Sequence, residues 1–437
     1  MVGSRPNHDE HGGVKRTGRL CLAVAGGLFL AALPASGLPA VEFSQAIPGA
    51  AATPPLGWNS WNTFRCGINE SLIEHTADAM VSSGMRDAGY RYVVVDDCWV
   101  ASQRTSTGEL QADPVRFPSG MRALGDYLHA RGLLFGIYSS PSEATCAQTY
   151  GTYPGRTGSR GHEQIDASTF ADWGVDYLKY DWCAPGAAVG EQRQAFNAMR
   201  DALRSTGRPI VYSINANSGI VGAVPGSSGS WRWTSSMSRA TNDVVPAWRL
   251  GRGPYDYQGI ADIIDSAALL TTQFGQGFWL DPDMLEVGVD GEPLNYPGLS
   301  TAESRTQLSM WAMMAAPLIA GNDLSTMSAE TGRLLTNRGM LAIDQDPAGR
   351  TGEPLPGTEG SVWTRYLADG SVAIAFYNAD VSDRVIDLDP SRLGQFGCIE
   401  NVWAGTKSDL SGHMRANVAA HDTQLFRLTA DCQLSSS

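Results

Sequence analysis

Val175-Asp176-Tyr177-Leu178 runs into Lys179-Tyr180-Asp181-Trp182-Cys183, and the reading of this stretch decides the fold. Its β-branched and aromatic alternation reads as a buried strand that carries one ammonium and one carboxylate, Lys179 and Asp181, to its C-terminal tip. A lone Lys-x-Asp is most often a turn cap with a surface partner. Here the arrangement recurs. Apolar strands end at Trp61, Asp97, Tyr138, Asp181, Asn215, Asp243, Asp283 and Asn322, roughly every 30–45 residues, the interval of a βα unit with its loops. Such a series predicts an α/β architecture, a (β/α)8 TIM barrel whose strand C-termini converge on one site. A doubly wound sheet is the competing fold, but it normally opens with a Gly-rich turn, and neither GxGxxG nor GxxxxGK[ST] occurs.

Between the tips, helical periodicity predicts helices over 71–88, 124–131, 166–173, 191–205, 260–270 and 301–315. The last is rich in Met and Trp at helical spacing, which reads as core. The barrel is therefore expected over 53–345. Beyond it the texture changes to short alternating runs at 361–366, 371–377, 384–388 and 424–428, set between Gly, Asp and Asn. These predict a small antiparallel β-sandwich domain over 346–437.

The 437 residues carry a formal charge of −13 and a pI near 5.0. That surplus of acid argues against nucleic acid and anionic membranes as partners, because phosphate binding rewards basic surface. A neutral ligand suits it better. Lys15, Arg16 and Arg19 precede an apolar run from Leu20 to Leu33 and the small residues Ala35-Ser36-Gly37, the pattern of a signal peptide. Residues 1–52 are accordingly expected to be a processed leader, cleaved near Gly37 or among Pro48-Gly49-Ala50-Ala51-Ala52, and the mature protein to be secreted. That run is too short to span a bilayer comfortably, and the rest of the chain has no stretch of ~18 or more apolar residues.

Of seven cysteines, Cys21 lies in the leader. The other six favour disulfides in an exported protein, with fifteen connectivities open. The preferred pairing is Cys66 with Cys98, Cys146 with Cys183, and Cys398 with Cys432, the last two standing alone at the far end of the chain. No CxxC, HxxxH or HExxH occurs and the seven histidines are scattered, so neither a metal nor a cofactor is expected.

In a barrel, Asp96, Asp97, Lys179, Asp181, Arg239, Asp243 and Asp283 surround one pocket with Trp61 and Tyr138. Dense carboxylates between aromatic walls suit a polyhydroxylated ligand: hydroxyls exchange hydrogen bonds with the acids while apolar sugar faces stack on the rings. Two carboxylates flanking a glycosidic bond can hydrolyse it, one as nucleophile and the other as proton donor and then base. Asp181 is the expected nucleophile because Lys179 is placed to hold it ionised. Its partner should be an aspartate with less cationic support. A silent carbohydrate-binding protein and a metal-dependent hydrolase are the readings from other classes.

Five ordered motifs carry a resemblance: Pro54-Pro55-Leu56-Gly57-Trp58-Asn59-Ser60-Trp61, Asp96-Asp97-Cys98-Trp99, Phe170-Ala171-Asp172-Trp173-Gly174-Val175-Asp176, Lys179-Tyr180-Asp181 and Asp281-Pro282-Asp283-Met284. Together they resemble glycoside hydrolase family 27, the retaining α-galactosidases (melibiases) and α-N-acetylgalactosaminidases. The resemblance implies Asp181 as nucleophile and Asp243, four residues after Arg239, as acid/base. It further implies that Asp96, Asp97 and Lys179 bind the galactose hydroxyls around C3, C4 and C6, that Trp61 and Tyr138 line the sugar site, and that Asp283 belongs to the pocket. Cys66–Cys98 and Cys146–Cys183 bridges are implied as well. The substrate it implies is an oligo- or polysaccharide with terminal α-linked galactose.

Two positions depart from the family pattern. Ser238 stands where Trp usually precedes the arginine. The fifth strand runs into Ile214-Asn215-Ala216-Asn217-Ser218-Gly219, where galactosidases carry a Cys-Glu-Trp-type segment that touches the sugar 2-position. Ala216 in place of that glutamate removes a hydrogen bond and leaves space near Asn215. An α-N-acetylgalactosamine, β-L-arabinopyranose or isomaltose unit is therefore the alternative substrate.

Overall fold

Eight parallel strands, β1 (Leu56–Asn59), β2 (Tyr92–Val95), β3 (Leu134–Ser139), β4 (Tyr177–Asp181), β5 (Val211–Asn215), β6 (Met237–Arg239), β7 (Trp279–Asp281) and β8 (Leu318–Ala320), pair in the order β7-β6-β5-β4-β3-β2-β1-β8. The ring closes just beyond β7, where Leu285 and Ala320 form a parallel bridge and the Leu285 N–H donates to the Ile319 carbonyl at 2.8 Å. This is the expected TIM barrel. The computed structural model describes residues 46–183, 189–216, 231–250, 257–290 and 295–432. Leader residues 1–45 and the predicted Asn217-Ser218-Gly219 loop lie outside them.

The helices cover the outside of the ring, so its strands are buried on both faces; β5, for example, has no exposed residue. Backbones come close enough that Gly57 in β1 has no room for a side chain: a Cβ there would lie 2.4 Å from the Tyr92 carbonyl oxygen. The predicted helix over 71–88 breaks at Gly84 (φ 82°) into Glu70–Ser82 and Met85–Ala88. The predicted strand over 238–243 is shorter, stopping at Arg239, so Asp243 rides on a loop beyond the strand. Among the described residues four helices escaped the periodicity argument, the four-residue Trp61–Phe64 and Cys146–Thr149 and the longer Ala329–Leu335 and Arg338–Asp344. Even the longer two have only seven residues, too few to establish a period, although their caps Ser328 and Asn337 accept from the N–H groups of Thr331 and Met340.

The last residues of the expected leader are packed. Ile47, Ala50 and Ala51 belong to the main core, and the Ala51 carbonyl accepts the Trp279 indole N–H at 2.8 Å. Cleavage among Pro48 to Ala52 would cut into this packing.

Beyond the barrel lie β9 (Glu353–Pro354), β10 (Val362–Tyr366), β11 (Val372–Tyr377), β12 (Arg384–Leu388), β13 (Cys398–Asn401), β14 (Thr406–Asp409), β15 (Met414–Val418) and β16 (Thr423–Thr429). They form an antiparallel sheet in the order β14-β13-β16-β11-β10-β9 and a β12-β15 pair. β11 shows how the two layers divide the chain, since alternate side chains face opposite ways. Val372, Ile374 and Phe376 pack with Ile386, Leu388 and Met414 inside the sandwich, whereas Ala373, Ala375 and Tyr377 join the barrel core. Sequence reading missed β13, β14 and β15 because their alternation is polar; all of β14 is exposed. The helix Thr301–Met314 is enclosed between barrel and sheet, which explains its Met- and Trp-rich surface without an apolar stripe. Arg365, 1 % exposed, donates to the Ala312 and Asp344 carbonyls and so closes the end of that helix. No described helix is long and apolar enough to cross a membrane.

Candidate active site

The strand tips converge on a cavity of about 220 Å³. That is below the ~300–1,000 Å³ usual for drug-sized ligands, so it fits a single sugar ring better than several. Nine of the ten predicted site residues line it: Trp61, Asp96, Asp97, Tyr138, Lys179, Asp181, Arg239, Asp243 and Asp283. Asn215 does not. It lines a smaller void beneath the floor, among Ser213, Met237 and Asp281. β4 and β5 pair Asp181 with Asn215, and beyond β5 the Gln192 amide donates to the Ala216 carbonyl.

Two cations organise the acids. Lys179 Nζ lies 2.7 Å from Asp96 Oδ2 and 3.3 Å from Asp181 Oδ2, and 5.2 Å from the centre of the Tyr138 ring. Asp96 is held further by the Asn59 amide (2.7 Å) and accepts the Asp97 N–H on Oδ1 (2.8 Å). Asp97 accepts from the N–H groups of Cys98 (2.7 Å) and Ala147 (2.8 Å). Asp181 Oδ1 has no hydrogen-bond partner among the described residues. A carboxylate oxygen left without a donor keeps its lone pairs for another use.

Arg239 gathers the second group. Its guanidinium reaches Asp283 Oδ1 at 2.6 Å, Asp243 Oδ1 at 3.0 Å and Asp281 Oδ2 at 3.6 Å, and it is itself 4 % exposed. Asp283 holds the Asp243 loop twice over, through Arg239 and by accepting the Val244 N–H at 2.8 Å. It does so from a left-handed backbone (φ 77°), an uncommon conformation for a non-glycine residue. Asp243 is the open member of the set, its side chain 57 % exposed.

Burial and excess negative charge set the protonation balance. The Asp181 carboxyl is pushed up to about 6, chiefly by burial, with Asp96 and Asp243 adding to the rise and Lys179 and Arg239 opposing it. The Lys179 ammonium pulls in the direction that keeps Asp181 ionised, but desolvation outweighs that pull. Lys179, between two acids, is held firmly protonated, the charges of Asp181 and Asp96 overcoming its burial. Asp97 and Asp283 are likewise pushed up to about 6 by burial.

Several lining residues were not foreseen. Glu286 is buried, its amide N–H donates to the Gln307 side chain, and burial pushes its carboxyl well above the usual range while the Asn62 amide donates to it. Its place two residues after Met284 was the only signal. Tyr150, Tyr257 and Tyr296 also line the cavity, from loops rather than strand tips. The structure joins Cys66–Cys98, Cys146–Cys183 and Cys398–Cys432, with Cα separations of 5.2, 5.3 and 5.0 Å; Cys146 and Cys183 form part of the pocket wall.

Comparison with known proteins places this arrangement. The family profile described as "Alpha galactosidase A" matches residues 53–346, and that of the "Alpha galactosidase C-terminal beta sandwich domain" matches 357–428. The chain belongs to glycoside hydrolase family 27. An α-galactosidase A of Cellvibrio japonicus is 38 % identical over 403 residues, covering 87 % of this chain and 92 % of the relative. An α-N-acetylgalactosaminidase of Gallus gallus is 38 % identical over 353 residues, covering 76 % and 80 %. The crystal structure of α-galactosidase I from Mortierella vinacea superposes with a TM-score of 0.76 at 30 % identity, covering 87 % of this chain and 98 % of that one. This family 27 chain is thus a glycosidase by membership.

Proposed function

We propose that the protein is a secreted, retaining exo-α-galactosidase in which Asp181 is the nucleophile and Asp243 the acid/base. The observation that carries the reading is the pairing of unlike aspartates in one cavity. Asp181 is buried beside Lys179 with an oxygen free of donors, and Asp243 is open to the mouth and held by Arg239. In the first step Asp181 attacks the anomeric carbon, the bond to the leaving oxygen breaks, and Asp243 gives that oxygen its proton. In the second, Asp243 takes a proton from water, the water oxygen attacks the same carbon, and the ester to Asp181 breaks. Two inversions leave the anomeric configuration unchanged.

Asp96, Lys179 and Asp97 form the closed end of the cavity, so a terminal galactose enters with its hydroxyls against them and its aglycone outward. The leader supports export, with cleavage near Gly37 leaving the packed residues 46–51 intact. Hydrolysis of 4-nitrophenyl α-galactoside tests the reading. Nuclear magnetic resonance of the first product should show α-galactose, and β-galactose as the first product would refute the double displacement. Ala216 favours one second reading, α-N-acetylgalactosaminide, because no glutamate from β5 lines the cavity. A preference for that substrate over the galactoside, in kcat/KM, would decide for it.

A further inference from the structure

The stretch that carries Asp243 is anchored at both ends, one end in the cavity wall and the other on the β-sandwich. At the cavity, Asp283 accepts the Val244 N–H at 2.8 Å and Arg239 reaches Asp243 itself. The Gln258 N–H donates to the Asp243 carbonyl at 2.9 Å, and the Val245 N–H to the Gln258 carbonyl at 3.0 Å. Five residues beyond Asp243 stands Trp248, whose carbonyl accepts the Ala261 N–H at the start of the helix Ile260–Ala267. Gly259 leaves no slack there, since a Cβ would lie 2.6 Å from the Trp248 carbonyl. The Trp248 indole meets the sandwich: it stacks on the His421 imidazole, centroids 4.4 Å apart and planes 16° from parallel, and its N–H donates to the Ala379 carbonyl at 3.4 Å.

His421 is itself firmly held. It stands just before β16 on a left-handed backbone (φ 59°), Thr306 donates to its carbonyl at 2.8 Å, and its Nδ1 lies 2.9 Å from Glu303 Oε1. The other Glu303 oxygen accepts the Ser300 N–H at 2.8 Å, and Arg305 forms a two-pronged ion pair with Asp422 next to the histidine. Glu303, Arg305 and Thr306 all belong to the helix Thr301–Met314. His421 Nε2 has no hydrogen-bond partner among the described residues. A buried nitrogen left unpaired is a cost; what the ring gains is its face on Trp248.

We propose that His421 of the β-sandwich is a positioning residue for Asp243 and acts through Trp248. The proposal rests on the reading of Asp243 as the acid/base. Neither Trp248 nor His421 lines the cavity, so their effect on the reaction travels along residues 243–248. Asp243 needs such support because its side chain is 57 % exposed, and its aim depends on the backbone that carries it. A proton donor must lie within hydrogen-bond reach of the leaving oxygen, and a shift of ~1 Å can cost ~10²-fold in rate. Losing the stack therefore weakens proton donation to the leaving group and spares the attack by Asp181.

The test compares kcat/KM for methyl α-galactoside, whose methoxide must be protonated as it leaves, with kcat/KM for α-galactosyl fluoride, whose fluoride departs without a proton. Both leaving groups are small, and the ratio cancels any loss of folded enzyme. The methyl-to-fluoride ratio is expected to fall about tenfold or more in His421→Asn and in Trp248→Leu, part of the ~10²–10⁴-fold that a well-placed acid supplies. Asn tolerates the left-handed backbone while removing the ring. Trp248→Phe keeps a ring to stack and should keep most of the ratio. Trp403→Phe loses a hydrogen bond to Ser309 between sandwich and barrel but leaves the stack in place, and its ratio should match wild type. A ratio within about twofold of wild type in both His421→Asn and Trp248→Leu, or an equal fall in Trp403→Phe, overturns the proposal. Asp243→Ala with an undiminished ratio overturns the acid/base assignment instead, and a wild type that turns over neither substrate overturns the galactosidase reading.

Discussion

Replacing Asp181 with Asn should make the protein more stable at neutral pH while abolishing turnover. In the folded chain the Asp181 carboxyl is raised from 3.8 to about 6, its side chain 10 % exposed. At ~1.4 kcal/mol per pH unit, ionising it in place costs about 3 kcal/mol relative to the unfolded chain. Asn fills the same volume without that charge, and Lys179 keeps its 2.7 Å contact with Asp96. The sign follows from the raised value: the folded protein holds this proton more tightly than the unfolded one. The contribution of Asp181 to stability is present below pH 3.8 and lost as pH rises through about 6. The advantage of Asn is therefore near its minimum at pH 4 and near its maximum above pH 7. With an unfolding entropy of ~2.1 cal/mol/K per residue, 3 kcal/mol in a chain this long moves Tm by about 3 °C. Calorimetry of both proteins at pH 4 and pH 7.5 measures the shift, and kcat should drop at least ~10⁴-fold. An Asn variant less stable than wild type at pH 7.5, or one with the same Tm difference at both pH values, refutes the reasoning.

Lys179→Met leaves Asp96 and Asp181 together without their shared cation, so the acid limb of the kcat/KM profile should move up by about one pH unit or more; an unmoved limb would show that the ammonium has no electrostatic hold on Asp181. Arg104→Met strands Asp166, whose fully buried side chain Arg104 meets at 2.6 Å. Breaking one partner of such a pair should lower the unfolding free energy by ~3–5 kcal/mol in urea titration. Replacing Cys146 and Cys183 together by Ser opens a link 37 residues long, worth about 4 kcal/mol by the loop-entropy relation. Because the Ala147 N–H next to that bridge holds Asp97, KM for the galactoside should rise as well.

The amino-acid sequence by itself determined the eight barrel strands and their order, because an apolar run ending in a polar residue is a local pattern that needs no knowledge of its neighbours. Lys179 with Asp181 on β4 and Arg239 four residues before Asp243 were legible for that reason. Only the tertiary structure decided what those groups do to one another. Burial of Asp181 overrides the pull of Lys179, Asn215 lines a smaller void in place of the cavity, and Glu286 becomes a shielded acid in the wall. Desolvation and charge add up over every element around the pocket, and Tyr150, Tyr257 and Tyr296 line one cavity only because separate loops end there. Such sums over distant segments are not written in any one stretch of the chain.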